Sequence, residues 1–175
     1  PAAAVEIGND RLKIAAGRFS LFGSPVGQLQ GTRLADTADG LTAPAAQALQ
    51  AAACPRHGVT ACLPRSLVTV RVIRVPSTDP DELGRMVSLQ VSRQTPYSRD
   101  EVVSGYRVLG SDADGYSTVL LAIARRKVIA ERLDAFAQAG IAVNRVTVGS
   151  DGLDAWFAKA RPANLAAKAS TVLLD

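Results

Sequence analysis

The sequence predicts a mixed α/β (α+β) protein in which a small second unit is inserted into a larger first one. Three observations carry this. β-Branched runs of strand length alternate with apolar stripes of helical period along the chain. Residues 67–148 read in order as strand, helix, strand, strand, helix, strand, the pattern of a compact antiparallel-rich sheet with helices on one face. Residues 149–175 then return to the helix-then-strand style of residues 1–66, so the middle unit interrupts the outer one.

In the outer unit, Ala3 to Ile7 is an apolar strand, and Gly8-Asn9-Asp10 supplies turn chemistry that lets Arg11 to Ala16 return as a hairpin partner. Gly23, Pro25, Gly27 and Gly31 punctuate further short extended pieces. After Gly40, the spacing of Leu41, Ala45, Ala48, Leu49 and Ala52 makes an apolar helical stripe, with Thr42 as the expected N-cap. Val59 to Leu63 is a strand closed by Pro64.

In the inserted unit, Leu67 to Val75 is rich in β-branched residues and reads as a strand. Asp79-Pro80-Asp81-Glu82 begins a helix: an Asp cap, Pro at the first position and an acidic first turn. Leu83, Met86, Val87 and Val91 form its buried face, and Pro96 ends it. Val102 to Leu109 is the next strand, Ser111 to Gly115 a turn, and Tyr116 to Ala124 a strand apolar enough to be central. A helix with Ile129, Leu133 and Phe136 on one face stops at Gly140, and Val143 to Val148 follows as a strand. The outer unit resumes with a helix carrying Leu153, Trp156 and Phe157, an Ala-rich linker over 161–169 and a terminal strand. The start at Pro1 and the strand cut at Asp175 suggest a segment of a longer protein.

The 175 residues suffice for a sizeable core without staples, with 47% hydrophobic and 21% charged residues. The net charge of +4 is scattered, and only Arg125, Arg126 and Lys127 cluster, so no nucleic-acid footprint stands out. Two cysteines suit a reducing compartment and exclude a disulfide framework. Cys54, His57 and Cys62 lack a fourth ligand and match no common zinc spacing, so no metal is expected. No run is long enough for a membrane span.

Catalytic readings fare poorly. The single histidine sits between Pro55 and Gly58, and a nucleophile–base pair needs a base beside the nucleophile. Several acidic residues (Asp79, Asp81, Glu82, Asp151, Asp154) fall at helix starts, where the helix dipole accounts for them. An RNA-binding module of the same element order stacks bases on strand aromatics, and Thr118 to Ala124 has none. One chemical signal remains. The hairpin Glu6-Ile-Gly-Asn-Asp-Arg-Leu-Lys13 can offer the backbone N–H groups around Gly8, Asn9 and Asp10 and the Lys13 ammonium to a phosphate, although by itself the pattern is weak and a plain hairpin is the favoured reading.

Taken in order, these segments resemble the PilM proteins of type IV pilus assembly, with the cytoplasmic part of the type II secretion protein GspL as a more distant relative. Ala4 to Lys13 is similar to the family's opening strand-turn-strand, and Val70 to Pro76 with Asp81-Glu82-Leu83 to its strand, proline and capped helix. Thr95-Pro-Tyr97, Glu101 to Tyr106, Leu121 to Lys127 and Ala137 to Ile141 follow in the family's order.

The resemblance implies an actin-like (ribonuclease H-like) first subdomain over 1–66 and 149–175, carrying an SHS2-type β-α-β-β-α-β insert over 67–148. It implies phosphate-binding positions at Glu6, Gly8, Asn9, Asp10 and Lys13, with Asp175 opening a second phosphate motif. Glu6 stands where the family has Asp, and Asn9, Asp10 and Arg11 replace small hydroxyl residues. The implied chain is a non-enzymatic cytoplasmic scaffold, peripheral at a bacterial inner membrane. It takes no cofactor itself, with ATP and Mg at most in a full-length protein that binds nucleotide weakly or not at all. The implied partner is an inner-membrane pilus protein whose short N-terminal PilN-like peptide docks between subdomain and insert, near Val70, Val72, Leu83 and Val87. A pilus assembly ATPase is a further implied partner. The alternatives are an actin-like ATPase whose nucleotide cycle drives assembly, and a GspL-like secretion component.

Overall fold

Turn chemistry at Gly8–Asp10 folds the first two strands, β1 (Ala2–Ile7) and β2 (Arg11–Arg18), into an antiparallel hairpin with Glu6 opposite Lys13. The computed structural model describes residues 2–18, 26–34 and 40–150. β3 (Val26–Arg33) continues the meander beside β2. Helix α1 (Thr42–Ala51) then crosses over, so that β4 (Val59–Leu63) lies parallel to β1. Alternation along β1 and β2 puts Ala3, Val5, Ile7, Leu12 and Ile14 on one face, under Ala45 and Leu49 of α1. Thr42 does not cap α1. The helix begins at that residue, and its hydroxyl donates instead to the carbonyl of Glu131 at 3.3 Å.

Pro64 ends β4, and a 3₁₀ turn over Arg65–Leu67 leads out of the sheet into β5 (Val68–Val75). Helix α2 (Pro80–Gln94) starts as the sequence predicts. The Asp79 carboxylate accepts from the N–H groups of Asp81 and Glu82 at 3.0 and 2.9 Å. β6 (Val102–Ser111) and β7 (Ser117–Arg125) follow, and the three strands pair antiparallel in the order β5-β7-β6. Leu83, Val87 and Val91 of α2 bury Val119, Leu121 and Ile123 of β7 on one face of this sheet.

The last two described elements depart from the expectation. Helix α3 (Arg126–Gln138) and strand β8 (Val143–Val148) belong to the larger sheet, not to the insert. α3 lies beside α1, with Ala135 and Phe136 in the core beneath β1 and β4. β8 pairs parallel to β4, giving the order β3-β2-β1-β4-β8. The cause is topological. A parallel partner for β4 needs a crossover helix, and α3 is that helix. The insert is therefore β5-α2-β6-β7, and its boundary falls at the β7–α3 junction between Arg125 and Arg126 rather than at residue 148. The helix, linker and strand expected after residue 150, and Asp175, lie outside the described residues.

Candidate functional site: the cleft between the insert and α3, and the β1–β2 turn

The two sheets meet through a small apolar bridge. Leu63 at the end of β4, Val68 of β5 and Ala124 of β7 are buried together, with Val70, Ala122, Ile129 and Val148 against them. The 3₁₀ turn brings them there: Leu67 N–H donates to the Pro64 carbonyl at 3.0 Å and Arg65 Nη1 to the Val68 carbonyl at 2.6 Å. Beside this bridge, between the insert and the first turn of α3, opens a cleft of about 280 Å³ whose apolar wall is Val68, Val102, Ile123, Ala124 and Val128 and whose polar wall includes Ser66, Thr69 and Thr95, with Tyr97 and Arg125 among its exposed residues.

That margin is braced. The Arg125 guanidinium stacks over the Tyr97 ring, 4.9 Å from its centroid. Arg126 Nε donates to the Asp100 carbonyl at 2.9 Å and its Nη2 to that of Val102 at 3.3 Å, tying the loop after α2 to the first turn of α3. Within that loop the Glu101 carboxylate accepts from the Ser98 hydroxyl and N–H at 2.7 and 3.0 Å, and these bonds hold its pKa below the usual carboxylate value.

The four groove residues expected from the sequence are not brought together here. Val70 is half-buried in the bridge. Val72 is 62% exposed, on the sheet face away from α2. Leu83 and Val87 are each 3% exposed in the α2 core, so they support the insert rather than meet a partner. The residues that do line the cleft had weak signals: a helix-breaking Pro96 before Tyr97, and the basic run that opens α3.

The β1–β2 turn lies at the carboxyl ends of parallel strands β1, β4 and β8. Glu6 and Lys13 form an ion pair at 3.3 Å. Gly8 N–H donates to the Arg11 carbonyl at 2.7 Å, and the Asp10 carbonyl accepts from Leu34 N–H at 2.8 Å. The exposed Asp10 carboxylate lies 3.5 Å from Arg11 Nε. Gly149, directly after β8, comes so close to Glu6 that a Cβ there would stand 2.7 Å from Oε2. From below, Arg132 of α3 donates through Nε to the Ile7 carbonyl at 2.9 Å and through Nη2 to Asn9 Oδ1 at 3.2 Å. Sequence reasoning missed Arg132, which reads as one more helical charge. Among the described residues, no three His, Cys, Asp or Glu side chains gather as a metal site, and no helix is long and apolar enough to cross a membrane.

The family model described as type IV pilus assembly protein PilM matches residues 25–172. The chain belongs to the PilM family. A solved PilM–PilN type IV pilus biogenesis complex is similar at 24% identity and TM-score 0.74, over 90% of this chain and 50% of that one. The cytoplasmic domain of EpsL, an inner-membrane component of the Vibrio cholerae type II secretion system, is similar at 13% identity and TM-score 0.55, over 83% and 56%. A Bacteroides thetaiotaomicron protein with an actin-like ATPase fold and unknown function is similar at 12% identity and TM-score 0.52, over 90% and 55%. At such identities the likeness is one of fold, and it is the actin-like fold that the PilM resemblance implied, with the secretion relative further off. The chain spans about half the length of these solved relatives. A search of the curated proteins finds no match.

Proposed function

We propose that this PilM-family chain is the peptide-binding part of a cytoplasmic, non-enzymatic adaptor at the inner membrane, and that an extended segment of a membrane-anchored PilN-like partner docks in the cleft between the insert and the first turn of α3. The observation that carries this reading is the cleft itself. Its walls mix apolar and polar groups in about equal measure, it is of a size to take one or two side chains, and its margin is braced, so it presents a preformed surface to a flexible segment. The solved PilM–PilN complex supports the choice of partner.

Calorimetric titration of the folded chain with a synthetic peptide copying the partner's cytoplasmic N-terminal segment tests this. Saturable binding in the micromolar range, about −8 kcal/mol, is expected. Val128→Trp fills the cleft from the α3 side and abolishes binding, and Arg125→Ala weakens it by removing the Tyr97 brace, both with unchanged circular dichroism. Absence of binding by the folded wild-type chain, or full binding by Val128→Trp, would sink the reading.

A further inference from the structure

We infer that Arg132 is a positioning residue that holds the β1–β2 turn closed from inside the protein, in place of a bound nucleotide, and so keeps α3 seated beside the cleft whether or not nucleotide is present.

The actin-like fold implies ATP and Mg at this turn, and the donor set does not fit them. A triphosphate is held by converging backbone N–H groups and uncommitted cations. Here the polarity is reversed. The Ile7 carbonyl and the Asn9 side-chain oxygen are acceptors, and both are satisfied by the Arg132 guanidinium. The Gly8 N–H is committed to the Arg11 carbonyl, and Lys13 to Glu6. The Glu6 carboxylate, paired with Lys13, sits close over Gly149, where a Cβ would stand 2.7 Å from Oε2, so a negative charge already occupies the space beside the loop after β8. An approaching phosphate would also meet the exposed Asp10 carboxylate.

Arg132 is the only buried charged residue among those described, at 4% exposure, and no described carboxylate lies within ion-pair distance of it. A buried cation is costly unless its donors are satisfied, and Arg132 meets three acceptors: Ile7, Asn9 and, through Nη1 at 3.0 Å, the Val128 carbonyl. Val128 lines the cleft, and Ile129 beside it belongs to the bridge between the sheets. One guanidinium therefore ties the turn to the cleft-forming end of α3. The link to the cleft rests on the adaptor reading above; the closed turn does not.

The test is amide hydrogen exchange on the full chain, followed by NMR with and without millimolar Mg·ATP. The Gly8 amide is expected to be protected without nucleotide, at a level that Mg·ATP leaves unchanged, and the Arg132 Nε–H signal is expected to exchange slowly in both. Arg132→Lys keeps the charge and loses the fork, and raises Gly8 exchange about tenfold while β7 amides keep wild-type protection. Asn9→Ala, a change in an exposed loop that the fold tolerates, gives a smaller rise at the same amide. A Gly8 amide that exchanges freely and becomes protected only on adding Mg·ATP would overturn the inference. So would wild-type protection at Gly8 in Arg132→Lys. Failure to bind peptide with Gly8 still protected would sink the adaptor reading and leave the closed turn standing.

Discussion

Replacing Phe136 by alanine separates the two readings of where α3 belongs. The ring is 1% exposed, in the core formed by β1, β2, β4, α1 and α3. Truncating a fully buried phenylalanine removes its transfer energy and leaves a cavity, about 3–5 kcal/mol together. That is a large part of the roughly 5–15 kcal/mol a domain of this kind has. Because the core under α2 shares none of these residues, the loss should be local to the larger sheet. Amide exchange followed by mass spectrometry under native conditions reads this directly. Peptides from β1 and β4 should exchange more than about a hundredfold faster in Phe136→Ala, with β5 and β7 peptides close to wild type. Leu83→Ala, at about 2–5 kcal/mol in the other core, should give the converse pattern. Loss of protection in β5–β7 and not in β1–β4 on Phe136→Ala would refute the reasoning, and would return α3 to the insert.

Three further outcomes follow from local chemistry. Asp79→Ala removes the α2 N-cap and should lower stability by about 1 kcal/mol in denaturant titration, with Asp79→Ser recovering most of it. The Asp112 carboxylate accepts from the Tyr116 N–H and pairs with Arg74, and these hold its pKa below the ordinary 3.8. A depressed folded pKa stabilises above the unfolded value and is lost as pH falls through the folded one, so the β6–β7 hairpin should loosen as the medium is acidified below about pH 3.8. In Asp112→Asn that part of the acid dependence of the melting temperature should vanish. Burial raises the Cys54 thiol pKa, so iodoacetamide should label it more slowly than a free thiol at mildly alkaline pH.

Elements governed by local chemistry were legible in the sequence. Asp79-Pro80 starts α2, Pro64 ends β4, and Gly140 closes α3 with its φ of +72°. The β1–β2 hairpin follows from Gly8-Asn9-Asp10. What the sequence hid is the choice of sheet for β8. A strand-helix-strand string is compatible with an antiparallel edge of the insert or a parallel neighbour of β4, and only long-range pairing decides. The same limit explains the groove residues. Val70 and Leu83 have the same apolar character in the sequence, yet one reaches the bridge between sheets and the other the core under α2. Arg132 was invisible for a related reason, since its acceptors at Ile7 and Asn9 lie far away along the chain.

The point of insertion accounts for why the cleft and the turn share one region. The insert leaves the larger sheet at the carboxyl end of β4, and the chain returns to that sheet through α3. β1 and β8 also end there, because both run parallel to β4. Ligand sites in parallel α/β sheets form at these ends, where departing loops separate. In this chain one departing loop is the hairpin turn after β1 and the other is the whole insert, and α3 runs beside both. A cation on the second turn of α3 is therefore placed to tie the first loop to the wall of the cleft made by the second, which is the position Arg132 occupies.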